Sequence, residues 1–325
     1  MEIREHVQGV AKLGNEIYVL SEEPDSGLYE RDVSSPTHHA SLPPPVMFVF
    51  EDQNPYRFQT KFEMTEINRL EKADHFYLNY IESNEKENCI YVVSCYEANC
   101  IWKITRETGD QHRIIKWLTT DFNPRNLSVT NDGHLLLIYE SVLMIYGPDT
   151  KLIRTIDLPK EIENVCLAVK TPIGNFIIIH DLNERKPIEE EETMDELVFD
   201  MDFKIDLEER APSVSERLSE LCISEVTNDG RTVRRSSNDT HSLYDPVCLS
   251  HDSDNRVFVV DKDTGNARVI LLDSDLNWSR IIYPAAEDDD DQAITSLWRL
   301  CFDEEKKQLI EGKYNGINIY KLSYV

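Results

Sequence analysis

The sequence predicts an all-β protein, a six-bladed β-propeller of four-stranded blades, from three observations. One strand–turn–strand unit recurs, as in residues 126–138 and 247–260, where two apolar runs flank a turn of Asn, Asp, Ser or Gly. The second, more apolar strand of this unit can be aligned six times, at residues 16–20, 89–93, 135–139, 175–179, 256–260 and 308–312. One such hairpin cannot bury both of its faces alone, whereas several packed radially can, so a propeller is the expected architecture.

Two of the units show all four strands of a blade. The third unit predicts strands at Asn126–Thr130, Leu135–Glu140, Leu143–Tyr146 and Lys151–Leu158. The fifth unit predicts strands at Val247–His251, Val257–Asp261, Arg268–Leu272 and Asn277–Tyr283. The turn Asn131-Asp132-Gly133 supplies residues that tolerate the positive φ angles of tight hairpin turns.

The two ends of the chain predict how the ring closes. The last unit ends after its third strand, whereas the chain begins with an additional strand-like segment, Met1–Val7. Because closure of a ring removes exposed sheet edges, we expect this N-terminal strand to supply the missing outer strand of the last blade.

Two insertions interrupt the repeat within a predicted single domain that spans residues 1–325. Residues 22–45 are rich in proline, which predicts a surface loop between the second and third strands of the first blade. Residues 182–218 are strongly acidic and in part alternate apolar with acidic side chains. This pattern is typical of a solvated excursion, with docking of a basic partner as the alternative.

Charge and cysteine usage narrow the classes of function. There are 34 basic and 61 acidic residues, and the formal net charge of −27 would repel nucleic acid and anionic lipid. No apolar run is long enough to span a membrane. None of the seven cysteines forms a Cys-x-x-Cys pair, and most lie in strand-like runs, which favours a reducing compartment. We therefore expect a cytoplasmic protein, a monomer whose partner is a basic peptide or protein.

The candidate binding residues lie where loops lead into the innermost strands, because propeller ligands usually bind at the mouth of the central channel. Alignment of the units places there the positions near Gly9, His75, Asn126, Leu167, Cys248 and Arg299, with Asp245 and Trp298 beside them. Of these, the residues expected to bind the partner are Asn126, Asp245, His75, Trp298 and Arg299. Trp298 and Arg299 together would form an aromatic and cationic anchor, the alternative being a core Trp beside a surface Arg. Asn126 and Asp245 also belong to a weak calcium hypothesis with Glu163 and Asn164, since calcium prefers several converging oxygen ligands.

Several runs resemble the NHL-repeat β-propellers, in particular the C-terminal propellers of tripartite-motif proteins and their invertebrate relatives. The runs are residues 7–20, 87–93, 124–133, 168–177 and 261–269. The Asp…Asn-x-Arg-Val element of that family, which joins the second strand to the third, is matched by Asp261, Asn266, Arg268 and Val269. The resemblance implies a binding scaffold. Nothing like a RING finger, B-box or coiled coil precedes the repeat, so it does not imply ubiquitin-ligase activity.

The sequence therefore predicts a non-catalytic protein-interaction scaffold, an acidic propeller that binds a basic partner at the channel mouth. The first alternative is a calcium-dependent lactonase or esterase, with calcium as its cofactor. The second is an RNA-binding propeller, which the resemblance allows and the negative charge disfavours; the compact basic cluster Arg231, Arg234 and Arg235 would be the first place to test it. No catalytic residue and no resident cofactor are predicted.

Overall fold

The fold is described from a computed structural model of the chain. It describes residues 6–22, 45–52, 57–64, 67, 76–96, 99–107, 111–124, 126–182, 221–236, 242–263, 266–282, 300–303, 306, 308–313 and 316–321. The described residues form antiparallel sheets of strands that follow one another in the chain. Within them no helix is long and apolar enough to cross a bilayer.

Five sheets have four strands each and are the blades of a β-propeller. The first blade contains β1 (His6–Leu13), β2 (Glu16–Glu22), β3 (Val46–Glu51) and β4 (Arg57–Glu63). The second contains β5 (Phe76–Asn84), β6 (Cys89–Tyr96), β7 (Cys100–Arg106) and β8 (His112–Thr119). The third contains β9 (Leu127–Val129), β10 (Leu135–Tyr139), β11 (Val142–Tyr146) and β12 (Leu152–Asp157). The fourth contains β13 (Ile162–Lys170), β14 (Phe176–Leu182), β15 (Leu221–Val226) and β16 (Thr232–Arg235). The fifth contains β17 (Pro246–His251), β18 (Val257–Asp263), β19 (Asn266–Leu272) and β20 (Trp278–Ile282).

The remaining sheet, the C-terminal sheet, has three strands in the described part of the chain: β21 (Leu300–Asp303), β22 (Gln308–Lys313) and β23 (Gly316–Lys321). The prediction of six four-stranded blades is therefore wrong, because the described residues form five. The predicted closing strand explains the error. Its described residues, His6 and Val7, pair with Glu22 and Ser21 and begin the innermost strand of the first blade. Met1–Glu5 lie outside the described residues.

The innermost strands surround the axis of the molecule. In chain order β1, β5, β9, β13, β17 and β21 each contact the next, and β21 contacts β1. All run in the same direction, since each sheet repeats the same antiparallel order. We call the side on which these strands begin the mouth face, and the side on which they turn into the second strands the turn face.

Apolar side chains from neighbouring blades form the core between them. The first and second blades share a cluster that includes Tyr18, Met47, Ile90 and the fully buried Trp102. The third and fourth blades pack through a second cluster, and the fourth and fifth through a third. Each sheet is therefore apolar on both faces, which explains why the second strands read as continuous apolar runs.

Several hairpins use one type of turn. In each, the first residue donates its N–H to the carbonyl of the fifth, and the N–H of the fourth donates to the carbonyl of the first. Thr130, Thr171, Thr227, Asp252 and Asp273 occupy the first position. The fourth residue has a positive φ and is Gly133, Gly174 or Gly230 after the three threonines. Glycine adopts this conformation without steric cost, which is why it recurs there.

The two predicted insertions lie between strands that are neighbours in one sheet. β2 pairs with β3 on either side of residues 23–44, and β14 pairs with β15 on either side of residues 183–220. Both connecting stretches lie outside the described residues.

Candidate functional site

A small cavity lies on the axis of the propeller. Its volume is about 150 Å³, and each innermost strand contributes to its wall. The polar side chains in the lining are Glu82, Ser83, Asn126, Ser128, Cys248, Ser250 and Cys301. Asn126, Leu167 and Cys248 are three of the positions that alignment of the repeat places around the channel, and all three line this cavity.

The mouth face brings together polar residues from the starts of β9, β13 and β17. Asn126 precedes β9 and donates from Nδ2 to the carbonyl of Cys166 on β13, at 3.4 Å. Asn164 donates from Nδ2 to Asp181 Oδ2 at 2.9 Å, and Glu163 pairs across the strands with Asp181. Asp181 was not predicted from the sequence. Its position at the mouth-face end of β14, opposite Glu163, becomes visible only once the register of the two strands is known.

The pKa of the Cys166 thiol is shifted by the carboxylates of this region. Burial and then the carboxylates of Asp181 and Asp245 raise the pKa of Cys166 to about 12. The carboxylates from β14 and from the start of β17 thus act on the same side chain. On the cavity wall, burial and the charge of Glu82 raise the pKa of Cys301 to about 12. Both thiols are therefore protonated near neutral pH and are poor nucleophiles and metal ligands.

A buried ion pair holds the loop that leads into β17. Asp261, on β18, is fully buried and accepts hydrogen bonds from Arg268 Nη2 at 2.6 Å and Nε at 3.0 Å. Its other oxygen accepts the backbone N–H groups of Tyr244 and Asp245, each at 2.9 Å. Arg268 also donates to the carbonyl of Ser242. Three hydrogen bonds to this ion pair therefore fix residues 242–245, and the side chain of Asp245 faces solvent.

Two exposed aromatic side chains flank this acidic region. Tyr244 is 45% exposed, and its ring lies over the Arg268 guanidinium with a centroid distance of 5.0 Å. Tyr139, at the end of β10, is 36% exposed and packs against Phe122 with centroids 4.7 Å apart. Sequence reasoning missed both. The signal in the sequence that could have found them is their position next to a loop at the mouth-face end of a strand.

Acidic side chains dominate the described loops and strand ends on the mouth face of the third, fourth and fifth blades. The carboxylates there include Asp121, Glu140, Glu161, Glu163, Asp181 and Asp245. The basic side chains described there include Lys160, Arg235 and Arg268, and Arg268 is already paired with Asp261. The face therefore carries a negative potential, which attracts cations and repels phosphates.

The predicted site residues divide into two groups. Asn126, Glu163, Asn164 and Asp245 lie at the starts of three adjacent innermost strands. His75, Trp298 and Arg299 lie outside the described residues. For the calcium hypothesis, the described part of the chain contains no group of three or more His, Cys, Asp or Glu side chains placed to hold a metal ion.

The compact basic cluster is largely neutralised by acidic neighbours. Arg231 Nε lies 2.8 Å from Asp229 Oδ2. Arg234 forms ion pairs with Glu225 and, at 2.7 Å, with Asp275. Guanidinium groups already engaged by carboxylates are a poor surface for a phosphate backbone.

Comparison with known proteins finds similar structures but no matching sequence. No family model matches the chain, and no curated protein sequence matches it. A protein from Lactobacillus plantarum has a similar structure, with a TM-score of 0.51 and 10% identity over 98% of this chain and 81% of its own. The WD40 β-propeller domain of Doa1 has a TM-score of 0.49 and 9% identity, over 97% of this chain and 92% of its own. Virginiamycin B lyase from Staphylococcus aureus has a TM-score of 0.49 and 9% identity, over 100% and 88%.

The chain is thus an all-β propeller with four-stranded blades, as its own sheet topology shows. Neither the family models nor the curated sequences support membership of the NHL-repeat family, and a shared fold at such low identity does not carry function.

Proposed function

We propose that this protein is a non-catalytic interaction module whose mouth face binds a basic peptide or a basic segment of a protein. It acts as a monomer in the cytoplasm. Cys89 and Cys166 are among the described cysteines that form no disulfide, which fits a reducing compartment.

The convergence of carboxylates on one face carries this proposal. Asp181 and Asp245 both raise the pKa of the Cys166 thiol, so their fields overlap at the starts of β13 and β17. Clustered charges of one sign steer an oppositely charged partner and raise its association rate. A lysine- or arginine-rich segment is the partner that these charges select.

The exposed tyrosines supply the short-range contacts that charge alone lacks. Tyr139 and Tyr244 present aromatic surface beside the acidic groups. Aromatic residues are frequent energetic centres of protein interfaces, and their rings also attract cations. A basic side chain of the partner would therefore contact a carboxylate and an aromatic ring at the same site.

The site is rigid before a partner arrives. Asp261 and Arg268 fix the backbone of residues 242–245, and Asn164 holds the Asp181 carboxylate. Because little ordering remains to be done on binding, more of the contact energy appears as affinity.

The proposal is tested by neutralising the mouth face while a control keeps the net charge equal. The triple variant Glu163→Gln, Asp181→Asn, Asp245→Asn removes three carboxylates from the site. The control variant Asp149→Asn, Asp229→Asn, Asp275→Asn removes three from loops between third and fourth strands, away from the starts of the innermost strands. Binding of an oligolysine peptide is measured by calorimetry at about 0.15 M salt, where long-range attraction is screened.

We expect the mouth-face variant to bind at least about tenfold more weakly than the wild type, and the control variant to stay within about twofold. Equal weakening of both variants would show that only net charge matters and would contradict the proposal. Micromolar binding of single-stranded RNA at the same salt would favour the RNA-binding alternative instead.

A further inference from the structure

A second, larger cavity lies on the turn face, between the first and second blades. Its volume is about 430 Å³, which is within the range of small-molecule sites. Its walls come from the β1–β2 turn, from β2, β3 and β4, and from the second blade. The lining residues that carry polar side chains are Asn15, Glu16, Tyr18, Glu51, Gln59, Asn88 and Arg106.

Contacts between the first and second blades join the walls of the cavity. Arg106, at the end of β7, pairs with one oxygen of Glu16 on β2. The other oxygen of Glu16 accepts the Tyr18 hydroxyl at 2.8 Å. The backbone N–H of Gly14 donates to Glu85 of the second blade at 2.8 Å. The walls are therefore fixed by contacts that cross from one blade to the other.

Gln59 is placed by an irregularity in the sheet. Along β4, Thr60 pairs with Val49 and Phe58 with Phe50, so Gln59 is an extra residue, a β-bulge. A bulge re-aims a side chain relative to the regular ladder and is often found next to functional sites. The Gln59 amide oxygen is buried, and among the described residues it has no hydrogen-bond donor.

A buried acceptor without a donor costs free energy, so a ligand that donates to it is favoured. Among the described residues, the cavity lining contains two carboxylates, Glu16 and Glu51, and one guanidinium, that of Arg106. Because Arg106 and Tyr18 already engage Glu16, the Glu51 carboxylate is the charge that faces an incoming ligand.

We propose that this cavity is a binding site for a small organic cation that carries a primary amine or a guanidinium group. The cationic group donates one hydrogen bond to Gln59 Oε1 and one to the Glu51 carboxylate, which satisfies the buried amide oxygen and balances the charge of the cavity. The site is separate from the mouth face and does not depend on the function proposed for that face.

The proposal is tested with agmatine, which carries an amine at one end and a guanidinium at the other. Calorimetric titration and thermal unfolding are recorded for the wild-type protein, for Glu51→Gln and for Gln59→Leu. The control is Glu63→Gln, which changes an exposed carboxylate on the same strand, β4, outside the cavity. Glu51→Gln nearly preserves shape, so it remains informative if the leucine variant folds poorly.

We expect agmatine to bind the wild type and the control alike, to raise the unfolding temperature of both by linkage, and to bind each cavity variant about tenfold or more weakly. The mouth-face triple variant should bind agmatine normally. The inference is overturned if millimolar agmatine neither binds nor stabilises the wild type, if the cavity variants bind it equally well, or if succinate binds better than agmatine.

Discussion

At the scale of single residues, Asp261 links the fold to the mouth face. Its carboxylate is buried against Arg268 and also holds two backbone N–H groups of the loop at residues 242–245. Asp261→Asn leaves a buried guanidinium without its counter-charge, a change that typically costs about 3 to 5 kcal/mol. We expect the free energy of unfolding to fall by that amount and oligolysine binding to weaken as the loop is released.

Denaturant unfolding measures this prediction, with Asp254→Asn as the control. Asp254 pairs with Arg256 at the surface, where ion pairs contribute little, so its loss should change stability only slightly. Equal stability of the two variants would show that the buried pair does not hold this blade.

A second residue-scale prediction concerns pH and the turn-face contact between Lys12 and Asp303. Lys12 Nζ lies 2.6 Å from Asp303 Oδ2 and joins the first blade to the C-terminal sheet. Burial alone would raise the pKa of Asp303, but the hydrogen bond from Lys12 and its charge outweigh burial and lower it. For Lys12, burial alone would lower the pKa, and the bond and charge of Asp303 raise it.

The sign of the pH dependence follows from these directions. A lowered carboxyl pKa stabilises the fold above the unfolded value of about 3.9, and this contribution disappears as pH falls through the folded value. The raised pKa of Lys12 stabilises below about 10.4, and this contribution disappears as pH rises through its folded value. Asp303→Asn should therefore be less stable than the wild type at neutral pH, with a gap that narrows below about pH 4. A gap that stays constant from pH 7 to below pH 4 would contradict this account.

At the scale of elements, the hairpin turn that recurs in several blades requires a glycine at Gly230 for two reasons. The first is its φ of +82°. A Cβ at this position would lie 2.3 Å from the carbonyl oxygen of Asp157 in the neighbouring blade. Gly230→Ala therefore adds a backbone clash to the cost of a positive φ, and we expect the loss of stability to exceed about 1 kcal/mol.

Gly14→Ala is the matched control for this substitution. Gly14 also has a positive φ, +56°, but a Cβ there would meet no atom within 4 Å. Thermal unfolding should therefore show a clearly larger loss for Gly230→Ala. Equal losses would mean that the contact with Asp157 relaxes at no cost.

The elements also show what a sequence can predict. The predicted strands of the third blade match β9 to β12 to within two residues at each end, because alternation and turn residues are local signals. The predicted number of four-stranded blades is wrong because it depended on a pairing between distant parts of the chain. His6 and Val7 pair with Glu22 and Ser21 of β2, which assigns them to the first blade rather than to a closing strand.

The same distinction applies to the site. Asn126, Glu163, Asn164 and Asp245 were predicted near the channel because they follow loops that lead into innermost strands. Asp181 and the bulge at Gln59 could not be predicted, because both depend on cross-strand register, which no single strand reveals.

At the scale of the whole molecule, the net charge of −27 attracts a basic partner from a distance, but it does not say where that partner binds. The arrangement of the charged side chains indicates where the partner binds. On the turn face and in the outer loops, many carboxylates already have basic neighbours, as Asp132 has Lys170 and Asp149 has Lys151. On the mouth face, Glu163, Asp181 and Asp245 gather around the start of β13 and beside Tyr244. The central claim is therefore that a basic partner binds at the mouth face.

Zero-length coupling of a bound oligolysine peptide to the protein, followed by mass spectrometric mapping, tests this claim most directly. A carbodiimide joins a lysine amine to a carboxylate only where the two are in contact, so the coupled residues report the binding surface. We expect coupling at Glu163, Asp181 and Asp245, with protection of these residues when unlabelled peptide is added in excess. Coupling that is concentrated on turn-face and outer-loop carboxylates such as Asp254 and Asp275, or that simply follows solvent exposure, would contradict the account.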